Sequence, residues 1–458
     1  MPRSRFAKLL IAPGVFIAFA MLTVAAPEAS ARLLAKSSHF TLTNGMEVVV
    51  IEDKRVPVVT HEVWYKAGAS DETDKEVGIA HFLEHLMFKG THKMGPGGFD
   101  KIITGNGGVN NAYTNFDTTY YYERLPAAKL KLLMELGAGR MSDLVIPEAE
   151  VEPERGAVIA EHGYRVDNEP SGFFQEKMRA ILYPKHPYGR SILGTIPQIK
   201  AMKRADALAF YRRFYGPNNA ILIVAGDVDP ENVRALAEAT YGQLPRRDIK
   251  ARTVPPLPAK PLGKHFTVEH PQVISTRVIR NYRVPSYETA KPGEAEAVQL
   301  MQSILGGGNT SRLYQKLVID ERKANTATAS YDSDRLGGIL EFSAEVADGA
   351  KPEEVEALMD RVVSELIETG AGQIEMEEQR ALFVSSDVYD ADNQLTLART
   401  YGSTLAEGGT MSDVEDWSDR IGKVTADDIN AVAKRYLSRN NSVTGYLTPK
   451  GQAAGVNQ

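Results

Sequence analysis

Three side chains in the stretch His81-Phe82-Leu83-Glu84-His85 could do chemistry together. Imidazoles four residues apart lie one turn apart on a helix, so both can reach a single metal ion. Glu84 is three residues from His81 and falls on nearly the same face. Neutral imidazoles suit zinc, and a neighbouring carboxylate suits a base that takes a proton from activated water. The order H-x-x-E-H is the inverted zinc-peptidase signature. Five residues alone could also be a chance cluster of paired or capped histidines. The flanks, Val77-Gly78-Ile79-Ala80 and Leu86-Met87-Phe88, are apolar and free of proline, which predicts a buried helix.

A hydrolytic zinc site needs three protein ligands and one open position. The third ligand should come from a separate element, and residues 152–161 offer one. Pro153 is suited to the first turn of a helix. Glu154 and Glu161 are seven residues apart, two helical turns, so both carboxylates share a face. One can bind metal while the other orients a ligating histidine. The plainer alternative is a solvated acidic helix face.

With these residues in view, His81-x-x-Glu84-His85 followed by Glu154-x6-Glu161 resembles the pitrilysin, insulinase and mitochondrial processing peptidase family of zinc metallopeptidases. The resemblance spans nearly the whole chain after its first 31 residues. It implies Zn2+ held by His81, His85 and Glu161, with Glu84 as general base and Glu154 supporting a ligand from behind. The 75 residues between His85 and Glu161 are one fewer than is usual in the family. It also implies an α+β fold of two similar α/β-sandwich halves, each a mixed sheet with helices.

Strand signals surround the motif. Residues 39–42 and 46–51 read as strands joined by the Asn44-Gly45 turn, and residues 63–68 as another. Residues 107–122 are rich in Thr and Tyr and resemble the family's edge strand beside the metal. An extended peptide could add to that edge through main-chain hydrogen bonds, with Asn111 and Ala112 contacting substrate. For Asn111 a turn-stabilising role is the competing reading.

The halves carry matching endings. A helix over 205–215, an Asn-Asn turn at 218–219 and a strand over 220–224 reappear as 426–436, 440–441 and 442–446. The openings His39-Phe40-Thr41-Leu42 and His265-Phe266-Thr267-Val268 also match. The expected layout is an N-terminal zinc-binding peptidase domain over 32–245, a Pro-rich semi-rigid linker over 246–264 and a C-terminal domain over 265–458. The second half has no H-x-x-E-H, so the chemistry is expected in the first half alone. Its run Leu305-Gly306-Gly307-Gly308-Asn309-Thr310-Ser311-Arg312-Leu313 lacks the ending of a phosphate-binding loop and resembles a structural segment of the family.

One feature of the family is missing. Many members carry an Arg and a Tyr seven residues apart just after that Gly-rich segment, where they hold the substrate; here the aligned positions are Val318 and Asn325. Val has no donor and Asn lacks the reach of a phenol. Tyr331 and Arg335 are near in sequence but have the wrong order and spacing. The expectation is a heterodimer with a related chain that supplies the pair, a homodimer being possible. A non-catalytic subunit and a metal-storage protein are the rival readings, and the presence of Glu84 argues against both.

The remaining composition narrows the class. The 458 residues are 43% hydrophobic and 24% charged, as in a globular chain long enough for two or three domains. A net charge of −6 gives no reason to expect nucleic acid. Arg3, Arg5 and Lys8 precede a largely apolar run over 9–26 and the small-x-small site Ala29-Ser30-Ala31. This reads as a cleavable secretory signal over 1–31, with an uncleaved anchor as the alternative, and points to the bacterial periplasm. The absence of cysteine excludes disulfides and a lipid anchor on cysteine.

Overall fold

The computed structural model describes residues 36–259 and 263–451, so the signal reading over 1–31 lies outside the described residues. Eleven described strands form two sheets. The first contains β1 (Lys36–Thr41), β2 (Glu47–Glu52), β3 (Val58–Tyr65), β4 (Val109–Thr114), β5 (Thr119–Pro126) and β6 (Ala220–Gly226), in the order β1-β2-β6-β3-β5-β4. The second contains β7 (Lys264–His270), β8 (Arg277–Val284), β9 (Ala324–Asp334), β10 (Gly337–Val346) and β11 (Ser442–Pro449), in the order β7-β11-β8-β10-β9. Each sheet is mixed, with one parallel pair: β2 with β6, and β7 with β11. This is the α+β architecture of two similar halves expected from the sequence.

The shared topology shifts one part of the repeat. In the second sheet β7 runs parallel to β11, as β2 does to β6 in the first. The counterpart of β7 is therefore β2, and the matching tetrapeptides at 39–42 and 265–268 occupy non-equivalent strands. Strand β1 is an added edge, antiparallel to β2. The matched endings do coincide. Helix Arg204–Phe214 leads into β6, and helix Ala426–Tyr436 leads into β11.

Two boundaries differ from the sequence pattern. Strand β3 begins at Val58, five residues before the expected start. His61 and Glu62 interrupt its apolar run, but both are buried and bonded. His61 Nδ1 meets Glu123 Oε2 at 2.8 Å, and Trp64 Nε1 donates to Glu62 Oε2 at 2.7 Å. The acidic helix runs Glu148–His162 with Pro147 as its cap, so Pro153 sits inside it instead of opening it. An interior proline forgoes one helical hydrogen bond.

Hydrophobic faces explain the assembly. One face of the first sheet packs Val48, Val50, Val63 and Tyr121 against Phe82, Leu83 and Leu86 of helix Ile79–Leu86 and Phe210 of helix Arg204–Phe214. Its other face, with Val49, Trp64, Ile221 and Ile223, is covered by Leu397, Ala398, Tyr401 and Leu405 of helix Gln394–Glu407, a segment of the second half. Gly402 permits this seating, because a Cβ there would lie 2.2 Å from Trp64 Nε1. The converse holds for the second sheet. Phe174, Met178 and Leu182 of helix Pro170–Leu182, from the first half, cover Val268, Ile279, Ile339 and Val443. The Gly-rich segment follows helix Glu294–Gly306, where a Cβ on Gly306 would lie 2.1 Å from the backbone of Ala329, so it is a packing device as expected.

Acidic groups gather at the junction of the halves. Burial pushes the Glu407 carboxyl up to about 9, and Glu288, Asp117 and Asp334 push it the same way, with Arg252 opposing. Burial likewise raises Glu288 to about 7 and Asp334 to about 6. Unfolded, Glu407 would titrate near 4.5. The folded chain thus holds a proton that the unfolded chain releases between those values, and the stabilisation it brings fades as pH rises from 4.5 to 9. Glu407→Gln should therefore gain on the parent chain as pH rises. The difference in Tm, variant minus parent, is expected to increase by roughly 2 °C or more between pH 5 and pH 9. A difference independent of pH would show that Glu407 is not held protonated.

Candidate metal centre

The helix that carries the five-residue motif is fixed at its start. Gly78 caps helix Ile79–Leu86 with φ 93°, and a Cβ there would lie 2.4 Å from the Leu193 carbonyl oxygen. Such a position demands glycine. The carboxylate of Glu72 receives the N–H groups of Gly78 and Ala80, both at 2.8 Å, and so ties down the free donors of the first turn. Ile79, Phe82, Leu83 and Leu86 enter the first core, which turns His81, Glu84 and His85 toward the acidic helix Glu148–His162.

Three donors converge. Glu161 Oε2 lies 3.6 Å from His81 Nε2 and 3.2 Å from His85 Nε2, and the ligand atoms of all three residues fall within 4.8 Å of one another. Donors held about 2.1 Å from a tetrahedral metal sit about 3.4 Å apart, so this set fits a zinc-sized ion. Burial, then the neighbouring His85, lowers His81 to about 3. Burial also opposes charge on His85, but Glu161, Glu84 and Glu154 outweigh it and raise the group. Of the two rings, His81 is thus the one held neutral. Glu161 is lowered, chiefly by its bond to His85.

The residues behind these donors differ. His85 Nδ1 faces Glu154 Oε2 at 3.3 Å, and Lys89 Nζ holds the other oxygen of Glu154. The Nδ1 atom of His81 is buried and has no hydrogen-bond partner among the described residues, so packing orients that ring. Glu84 is 8% exposed, and burial raises its carboxyl above the usual range while the Thr114 hydroxyl opposes this by donating to Oε2 at 2.6 Å. The Arg165 guanidinium forms an ion pair with Glu161 Oε1 at 2.9 Å.

These groups line one cleft of about 420 Å³, with Phe88, Asn111, Ala112 and Tyr113 completing its wall. Strand β4 forms that wall and is the outermost strand of its sheet. The bond from Asn115 N–H to the Thr118 carbonyl sets the alternation of the β4–β5 ladder. Asn111 and Tyr113 then bond to β5, whereas Ala112 and Thr114 direct their N–H and C=O groups to the open edge. The Ala112 N–H is held by Asn111 Oδ1 at 2.9 Å.

All seven residues singled out from the sequence line this cleft or, for Glu154, its back wall: His81, Glu84, His85, Glu161, Glu154, Asn111 and Ala112. Sequence reasoning passed over Lys89, Thr114, Arg165 and Glu72. Lys89 and Arg165 stand four residues after His85 and Glu161, a spacing that places each on its neighbour's face. Thr114 follows Ala112 by two, the strand period. Glu72 has no such signal, since a loop brings it to the helix start. Val318 packs against the second core, and Asn325 reaches Glu345 at 3.4 Å. Every lining residue comes from the first half.

Known proteins agree with this architecture. The family described as Insulinase (Peptidase family M16) matches residues 47–196, and the Peptidase M16 inactive domain matches residues 201–383. The Zinc protease PqqE of Helicobacter pylori is 30% identical over 435 residues, covering 94% of this chain and 96% of that protein. The crystal structure of a protease from Helicobacter pylori aligns with a TM-score of 0.81 at 29% identity, covering 91% of this chain and 100% of that one. The periplasmic protease PqqL from Escherichia coli, at 19% identity and a TM-score of 0.79, shares the fold over 90% of this chain and 47% of its own. Two family models over consecutive stretches of the chain and a relative similar over 94% of it place the chain in the M16 peptidase family, to which it belongs.

Proposed function

We propose that the chain is a zinc-dependent endopeptidase acting on extended peptides or unfolded polypeptides. The observation that carries this reading is the convergence of His81 Nε2, His85 Nε2 and Glu161 Oε2 beside the buried Glu84, at an open strand edge. A bound Zn2+ would supply Lewis acidity, polarising the scissile carbonyl and acidifying water. His81, held neutral, offers a lone pair, and Glu154 fixes the ring of His85 from behind.

Glu84 is the general base. Thr114 occupies its Oε2, which leaves Oε1 for the proton of the attacking water. Glu84 then passes that proton to the leaving amine. Burial raises its carboxyl and makes it a stronger base than an exposed glutamate. The peptide adds to β4 through the main chain of Ala112 and Thr114, and Asn111 releases the Ala112 N–H to receive it. Main-chain recognition tolerates many sequences.

The cleft is lined by the first half alone, and Val318 and Asn325 stand away from it. This supports a heterodimer in which a related chain brings an Arg/Tyr pair to the substrate, a homodimer being the alternative. The PqqL likeness covers about half of that chain, so one PqqL chain has the length for two such units. The signal-like residues 1–31 support export to the periplasm. No helix among the described residues is long and apolar enough to cross a membrane. The complete set of donors and base favours catalysis over a purely structural subunit.

Four outcomes test this. Glu161→Ala should abolish stoichiometric zinc, and Glu154→Gln should weaken zinc binding by about 10–100-fold in chelator competition. Glu84→Gln should retain zinc while cleavage of a quenched, unstructured peptide falls by about 10²–10⁴-fold; retained cleavage would remove Glu84 from the mechanism. Adding the partner chain should raise turnover well above that of residues 32–458 alone, and equal rates would remove the heterodimer.

A further inference from the structure

The β4–β5 turn carries a carboxylate that faces away from the cleft. Asp117 sits three residues beyond Thr114, the residue that holds Glu84, and is 1% exposed. Its Oδ1 accepts from Ser70 Oγ at 2.9 Å, from Arg335 Nε at 3.2 Å and from an Arg252 nitrogen at 3.5 Å. Its Oδ2 accepts the Arg335 peptide N–H at 3.1 Å and the Tyr188 hydroxyl. The Tyr188 oxygen in turn accepts the Leu336 N–H at 2.8 Å. Arg335 and Leu336 form the turn between β9 and β10, so they belong to the second half.

We propose that Asp117 is a positioning residue, through which the second half of the chain holds the substrate-binding edge strand β4 at the cleft. Three further observations make the turn a rigid transmitter. Asn115 Oδ1 accepts the N–H groups of Asp117 and Thr118 at 2.8 and 2.6 Å, which stiffens the turn from within. The turn presses on Gly68, where a Cβ would lie 2.5 Å from the Asn115 carbonyl oxygen and 2.7 Å from that of Phe116. Gly68 itself donates to Asp71 Oδ2, and Arg252 clamps Asp71 with two bonds at 2.9 and 2.6 Å. Segments on both sides of the turn and the connection between the halves thus meet at one carboxylate.

A second contact reaches the same hairpin from its outer face. The Arg399 guanidinium, on helix Gln394–Glu407, lies 5.8 Å from the Tyr113 ring, 6.0 Å from Tyr120 and 5.2 Å from Tyr122. Strand β4 is at the sheet margin and has one strand neighbour. Edge strands with one neighbour are the loosest in a sheet, and a peptide binds only if the strand already stands in register. The half that contributes no lining residue thereby gains a role: it keeps the docking edge straight.

The role as a substrate edge rests on the peptidase reading, so the test has one arm that needs no activity. In the full chain, Arg335→Gln alters the second-half contact without touching the cleft, and Asp117→Asn removes the charge at its centre. Hydrogen exchange of the Asn111 and Tyr113 amides, which bond to β5, is compared with that of the motif helix 79–86. Exchange at these two amides is expected to quicken about tenfold or more in both variants, while the motif helix and the zinc content stay unchanged. With an extended peptide, Arg335→Gln should raise KM about fivefold or more and change kcat less than about twofold. Unchanged exchange at Asn111 and Tyr113 would overturn the proposal. So would a uniform rise that includes the motif helix, which would mark plain loss of stability, or a fall in kcat at constant KM. If the parent chain cleaves nothing, the peptidase reading fails while the exchange arm still decides the coupling.

Discussion

Both sheets have two apolar faces, and a sheet face left in water is costly. The rest of the molecule follows from how the second face is covered. Each half keeps its own helices on one side and takes a helix from the other half on the opposite side. Gly402 under Trp64 and Gly445 under Phe174 mark how closely these exchanged helices approach. A Cβ on Gly445 would lie 2.5 Å from the Phe174 ring. The exchange fixes the halves against each other more firmly than a connecting segment could. It also places helix Gln394–Glu407 behind the sheet whose margin is β4.

Within that frame the two halves treat buried charge in opposite ways. In the second, Glu356 is surrounded by His265, Arg280, Arg439 and Tyr446 at 2.6–2.9 Å. Burial alone would raise its carboxyl, but these partners hold it well below the usual range. Its lone pairs are spent on neighbours, and nothing is left for a ligand. In the first, His61, Glu123, Arg140 and Tyr241 form a similar closed network under the sheet. The cleft is the exception. There the donors of His81, His85 and Glu161 converge on a common point, with Glu161 Oε2 3.6 Å from His81 Nε2 and 3.2 Å from His85 Nε2. Similar architecture thus carries a converging donor set in one half and a bonded charge network in the other.

The elements around the cleft are stiff where geometry matters. Gly78 and Glu72 fix the start of the motif helix, and Thr114 restrains one oxygen of Glu84. Of the supporting side chains, Lys89 on Glu154 stands in the bend just past helix Ile79–Leu86, and Arg165 on Glu161 lies in the turn Gly163–Asp167 that continues helix Glu148–His162. Rigid support of this kind is what places reacting groups within the small tolerances that catalysis requires.

The sequence by itself determined the candidate metal-site residues and most elements. His81, Glu84, His85, Glu154 and Glu161 were legible because helical spacing converts residue number into direction, and a helix needs no distant information to do so. The strands around Asn111 and Ala112 and the matched endings of the halves were legible for the same reason, since alternation and turn residues are local signals. The start of β3 was hidden because His61 and Glu62 look like solvent-facing residues until Glu123 and Trp64 satisfy them across the sheet. The interior place of Pro153 was hidden because Pro147 supplies the real cap. The counterpart of β7 was misread because four similar residues cannot reveal which neighbour a strand runs beside. Only tertiary structure decided the exchange of covering helices, the seat of Asp117 between the halves and the capping of the motif helix by Glu72. Each joins residues far apart in the chain, and no periodicity in a sequence encodes contacts of that kind.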